Sequence, residues 1–270
     1  MIRTSTRVAC VLTLALIAAP AAFAQAQNDD AVLKPAEPDY TLINLPTSLG
    51  LPVLKDAIRI THRFVRPLKC DACSSSLVGS AFGIDDGALI GLEWRMGIIP
   101  NGQVVAYRAR TDKAVQFMGE YGLTHQGNEM PLELTALAAI QGTQNFTGIY
   151  SPSFGLAMTH MFGDQAAIHA DPIWVHKSDL ASDDTLMVGV GARVQIARTL
   201  YLTGEITPRL SGNKPGVNLL AFAIEKRLGG HMFQLNFSNN ASATTLQQIA
   251  GGAPDNKNWY MGFNISRKFF

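Results

Sequence analysis

"NWYMGFNISRKFF", residues Asn258 to Phe270, alternates in character along its length. Trp259, Met261, Phe263 and Ile265 are apolar, and Tyr260, Gly262, Asn264 and Ser266 lie between them. Successive side chains of a strand point to opposite faces, so this stretch predicts a strand oily on one side and polar on the other. Its position, running to Phe269 and Phe270, suits the last stave of a barrel in a bacterial outer membrane.

The same alternation recurs upstream. Predicted strands cover 57–66, 88–96, 103–110, 114–123, 132–140, 154–161, 165–174, 185–196, 200–208, 217–227, 231–238 and 259–269. Each is about ten residues long, the length a tilted strand needs to cross a bilayer. In the second, Ile90, Leu92, Trp94 and Met96 oppose Gly91, Glu93 and Arg95. In the fourth, Val115, Phe117 and Tyr121 oppose Gln116 and Glu120. In the eighth, Leu186, Val188, Val190, Ala192, Val194 and Ile196 oppose Gly189, Gly191, Arg193 and Gln195. The fold class is therefore all-β: a transmembrane, antiparallel, up-and-down barrel of about twelve strands spanning 57–270.

A soluble sandwich also alternates, and three features separate the two. Helical periodicity is nearly absent. Connections alternate in length from the fifth strand on, tight at 163–164, 197–199 and 229–230 and longer at 141–153, 175–184, 209–216 and 239–258, as short periplasmic turns and longer outer loops would give; the short link at 111–113 breaks this rhythm. The polar faces carry mid-strand charges of both signs: Arg59, Arg63, Glu93, Arg95, Arg108, Glu120, Glu133, Arg193, Glu205 and Glu225. On a lipid face a mid-plane arginine costs roughly 2–4 kcal/mol, so these residues are expected to line a lumen. Arg66, Lys226 and Arg267 fall on oily faces near strand ends, where the penalty drops to about 0–1 kcal/mol.

The first 24 residues read as a secretory signal peptide: Arg3 and Arg7, the apolar run Val8–Ala19, and the small-x-small Ala22-Phe23-Ala24. Its removal takes two of the 22 bases and none of the 21 acids. A balance so near neutral lacks the basic stripe of a nucleic-acid binder. The proline-bearing stretch 25–56 (Pro35, Pro38, Pro46, Pro52) has no sustained period and is expected to be an extended periplasmic segment. No later stretch reaches the roughly 18 apolar residues of a membrane helix.

Over the last sixty residues the pattern becomes specific. "EKRLGGHMFQLNFSNN" followed by "WYMGFNISRKFF" resembles an uncharacterised family of bacterial outer-membrane β-barrel proteins, as do "THRF" at 61–64 and "FGIDDGALIGLEWRMG" at 82–97. The resemblance spans about residues 40–270 and implies a barrel and an outer-membrane location in a Gram-negative envelope. It carries over no catalytic residue. Many such barrels present an aromatic end, in register with the oily face, to the assembly machinery; here Phe269 is in register and Phe270 is not.

Other motifs are weaker. Cys70 and Cys73 in "KCDACSSS" form a C-x-x-C in the first long loop. A local disulfide is the usual state of secreted cysteines; a metal half-site or a redox couple are the alternatives, and no spacing recruits further metal ligands. Asp179, Asp183 and Asp184 in "DLASDD" lack the glycine and glutamate of a calcium loop. Gly189-x-Gly191 sits mid-strand with no helix behind it, so it is no dinucleotide fingerprint. His160, Asn145 and Ser151 fall near one predicted rim and are a candidate trio for a membrane-embedded hydrolase assembled across strands. The expectation is a non-enzymatic monomer without cofactor or metal, in contact with outer-membrane lipid and lipopolysaccharide and inserted by the barrel-assembly machinery. Its activity is undetermined, with a passive channel for small solutes first. The alternative is a closed structural or binding barrel, its lumen plugged by 25–55 and its outer loops recruiting a partner.

Overall fold

A computed structural model describes residues 35–269, apart from 71, 72, 74, 75, 81, 82, 84, 128, 178–182 and 213–215. The expected signal peptide, residues 25–34, Asp179 and Phe270 lie outside the described residues.

The chain is a closed, antiparallel, all-β barrel. Its strands are β1 (Asp56–Pro67), β2 (Ala88–Ile99), β3 (Gly102–Ala109), β4 (Val115–Thr124), β5 (Glu133–Gly142), β6 (Tyr150–Phe162), β7 (Ala166–Val175), β8 (Thr185–Ala197), β9 (Leu200–Thr207), β10 (Arg209–Ser211), β11 (Leu219–Leu228), β12 (His231–Ser238) and β13 (Tyr260–Phe269). Both β9 and β10 pair with β8, so they form one stave interrupted at Pro208, which cannot donate to the ladder. Twelve staves result, each neighbouring the next in sequence. β13 pairs with β1, with Ile265 opposite Ile60, so the sheet has no free edge. The opening stretch thus supplies the closing seam.

Period-two alternation sorts the side chains. Ile58, Ile60, Leu92, Trp94, Phe117, Phe154, Ile168, Val190, Leu202, Phe222, Ile224 and Leu235 face outward and are exposed, Leu92 and Phe154 by 56% each. A continuous apolar band far exceeds what a water-soluble monomer displays. Lys226 lies on this outer face, and Arg267 shares it beside the His231 Nδ1, 3.2 Å away. Both sit at the barrel end that also holds the start of β1 and the end of β13, here the terminal end; the opposite end is the loop end.

Arg66 corrects the expectation. The β1–β13 register is irregular between Arg63 and Pro67, and this flips the parity. Val65 points out, whereas Phe64 and Arg66 are buried, and Arg66 pairs with Asp86 at 3.1 Å. Another break lies in β7: Pro172 has no N–H, and the Asp171 carboxylate accepts from the Met158 N–H at 3.3 Å where the ladder is missing rungs.

At the loop end, the short link carries a 3-10 turn, Thr111–Lys113, with Asp112 at φ 54°. Cys70 and Cys73 are joined by a disulfide. Segment 239–259 folds inward around a short helix, Leu246–Ala250, capped by Thr245 and Gln248 in a capping box. Near its exit, the N–H groups of Asn258 and Lys257 hold the exposed Asp255 carboxyl below its usual range.

Candidate functional site

The lumen is occupied. Residues 36–49, expected as part of an extended periplasmic segment or, in the alternative, as part of a lumen plug, are all buried inside the barrel; over these residues the extended periplasmic reading is corrected. Thr41 bridges Pro46, the Leu42 N–H donates to the Leu45 carbonyl at 2.9 Å, and the Thr47 N–H to that of Tyr40 at 3.0 Å. The segment is a narrow hairpin, a finger with Ile43 and Asn44 at its tip. It leaves along β2, where Gly97 takes part in hydrogen bonds with Leu54 and Lys55.

The wall is cut to receive it. A Cβ on Gly189 would lie 2.5 Å from a Leu45 methyl, and one on Gly191 would clash with a Leu42 methyl. Those glycines make room on the inner face of β8. Leu42 and Leu45 then join a buried cluster with Met118, Leu137, Ile173 and Met187 of the wall and Leu246, Ile249 and Ala250 of the inward-folded loop. The finger from the terminal end and segment 239–259 from the loop end thereby meet in one apolar core. That apolar core does not follow from the polar inner parity of the strands.

Polar wall groups hold the finger by its backbone. Glu205 accepts from the N–H groups of Ile43 (3.1 Å), Asn44 (3.1 Å) and Leu45 (3.2 Å), and from Asn44 Nδ2 at 2.6 Å. Three successive amides around one carboxylate make an anion nest. Carbonyls point the other way: Arg193 donates to Thr41 O (2.8 Å), Gln234 to Leu42 O (2.7 Å) and Arg59 to Ile43 O (2.5 Å). Arg63 donates to Asn44 Oδ1 at 3.1 Å and Asn264 Oδ1 at 2.7 Å. Lower down, Asp39 meets Lys268 at 3.2 Å and Ser266 at 2.8 Å, and Ser48 donates to Glu133 at 3.1 Å.

The ten residues expected to line the lumen divide as follows. Arg59, Arg63, Glu93, Arg95, Glu120, Glu133, Arg193, Glu205 and Glu225 share the inward parity of their strands. Arg95 reaches Glu120 at 2.6 Å and Glu93 at 3.3 Å; Arg193 forks onto Glu225 at 2.8 and 3.2 Å. Arg108 is a correction. It pairs with Leu92 and Val115, both outward, and its guanidinium reaches Asn145 at the loop-end rim at 2.8 Å. A strand-end position lets a long side chain leave the lipid zone. The hydrolase trio is not assembled either: Ser151 and His160 lie at opposite ends of β6. Among the described residues, no cluster of three His, Cys, Asp or Glu could hold a metal ion.

The inward charges are unevenly spread around the wall. Lys268, Arg59, Arg63, Arg66 and Arg95 lie on β13, β1 and β2, with Glu93 the inward acid among them. Glu120, Glu133, Asp171, Glu205 and Glu225 lie on β4 to β11, with Arg193, Arg209 and Arg227 interspersed. Asn264, Gln234 and Lys268 follow the polar parity and were legible in principle; Asn44 was not, since its segment has no period.

These features agree with what the chain matches. The family model "Membrane bound beta barrel domain (DUF5777)" covers residues 42–269. The chain belongs to this family. The matched region begins inside the finger, so tip, Glu205 and Arg63 all fall within it. No curated protein matches in sequence. Among solved structures, the NanC porin is similar at TM-score 0.51 and 6% identity, over 80% of this chain and 99% of that one. The KdgM porin is similar at TM-score 0.50 and 7% identity, over 79% and 99%. The fold is that of outer-membrane β-barrel porins.

Proposed function

We propose that this protein is an outer-membrane barrel, shut at rest, that passes small solutes when the N-terminal finger leaves the lumen. The terminal end faces the periplasm, so the finger is a periplasmic gate. Lipid and lipopolysaccharide surround a single barrel placed by the assembly machinery through its final strand. The porin fold and the charged inner wall support a passive channel and not an enzyme.

The observation that carries the reading is the Glu205 nest. The finger is tied to the wall by hydrogen bonds from its tip and belongs to no stave, so its departure leaves the β1–β13 seam intact. In a planar bilayer the mature chain is expected to be silent. Deleting 36–49, or Gly191→Val to put a side chain where the Leu42 methyl of the finger lies, should produce stepwise conductance. A second reading, a permanently closed binding barrel, is favoured by the apolar core that segment 239–259 forms with the wall. Unchanged, silent traces from both variants would select it and remove the gate.

A further inference from the structure

The Asn44 side chain spans two walls of opposite charge. Its nitrogen donates to Glu205 at 2.6 Å and its oxygen accepts from Arg63 at 3.1 Å. Arg63 sits on β1 and Glu205 on β9, with β11, β12 and β13 between them. We infer that Arg63 and Glu205 form a subsite for a small zwitterion of the amino-acid type, whose ammonium and carboxylate replace the Asn44 amide nitrogen and oxygen. The inference rests on the gate reading, because the finger must leave before a solute can enter.

Arg63 is fully buried, and its Nε has no hydrogen-bond partner. Among the described residues no carboxylate lies within ion-pair distance of it; its polar partners are the amide oxygens of Asn44 and Asn264 and, at 3.4 Å, the His62 carbonyl. A buried guanidinium held only by neutral oxygens is short of an anion. Arg59, on the same face of β1, donates to the Ile43 carbonyl, which also departs with the finger. Opposite, Glu205 has its acceptors filled by finger N–H groups and the Asn44 amide. Withdrawal strands a cation and an anion within reach of one small side chain. A simple anion would satisfy Arg63 yet face Glu205; a simple cation meets the reverse conflict. A solute with both charges satisfies both walls.

The test uses the full mature chain carrying Gly191→Val, with the 36–49 deletion as a second open form, each checked for a folded barrel by heat-dependent gel mobility. Glycine, acetate and methylammonium are titrated against the open potassium chloride current at neutral pH. These probes are alike in size, and each control lacks one of glycine's charges. Glycine should half-block the current at a concentration about fivefold below either control, the scale of one or two hydrogen bonds. Glu205→Gln should bring glycine to the level of acetate, and Arg63→Gln to that of methylammonium. Equal half-block by all three probes, or a glycine preference untouched by both substitutions, overturns the subsite while leaving the gate. Absence of any open current in both forms overturns gate and subsite together.

Discussion

At the residue scale the lumen poses one problem: large charged side chains buried from solvent. Arg63, Arg95 and Arg193 are each no more than 1% exposed. Arg193 meets it with a forked pair onto Glu225, and Arg95 by lying between Glu93 and Glu120. Removing one member of such a pair leaves the other charge stranded, at a cost of about 3–5 kcal/mol. Glu225→Ala should therefore lower the urea midpoint of the reconstituted barrel, followed by tryptophan fluorescence. Replacing Arg193 by Leu in the same chain should recover much of the loss. If Glu225→Ala unfolds like the parent, the pair contributes nothing. Polar parity on a strand was enough to aim nine of the ten lumen charges inward. It failed for Arg108, where the side chain follows the outward row but escapes at the rim, and for Arg66, where an irregular register reverses the faces. Such a reversal is invisible to a strict two-residue rule.

At the element scale, the strands were legible because each is defined by its own residues. β12 was read to the residue, and most other ends moved by one or two, the normal uncertainty of boundaries. The finger differs: it has no period, no ladder with the wall beyond its base, and a shape set by what surrounds it. Gly189 and Gly191 connect the two kinds of element, because a Cβ at either would displace a leucine of the finger. Gly191→Val should expel the finger without disturbing the β8 ladder. Chymotryptic cleavage at Tyr40 should then speed up about tenfold or more, as cleavage follows the population of the open form. Heat-dependent gel mobility should stay as in the parent. Continued protection of Tyr40 would show that the glycine cradle does not seat the finger.

At the scale of the whole molecule, the barrel is inverted relative to a soluble protein: its oily rows meet lipid, and its charges lie within. Leu235, outward on β12 between Ile224 and Phe263, tests this directly. Leu235→Arg should destabilise the barrel in lipid vesicles by about 2–4 kcal/mol, while Lys226→Ala near the terminal end should change stability by no more than about 1 kcal/mol. Equal effects at the two sites would argue against a hydrocarbon belt. The sequence by itself determined the class, a count of about twelve staves, most of the faces and the membrane setting, because alternation is a local property and each strand carries its own copy. Only the tertiary structure decided that the lumen is filled. Ile43 meets Glu205 across 162 positions of chain, and no local pattern records a contact made only once the sheet has closed around the segment that enters it.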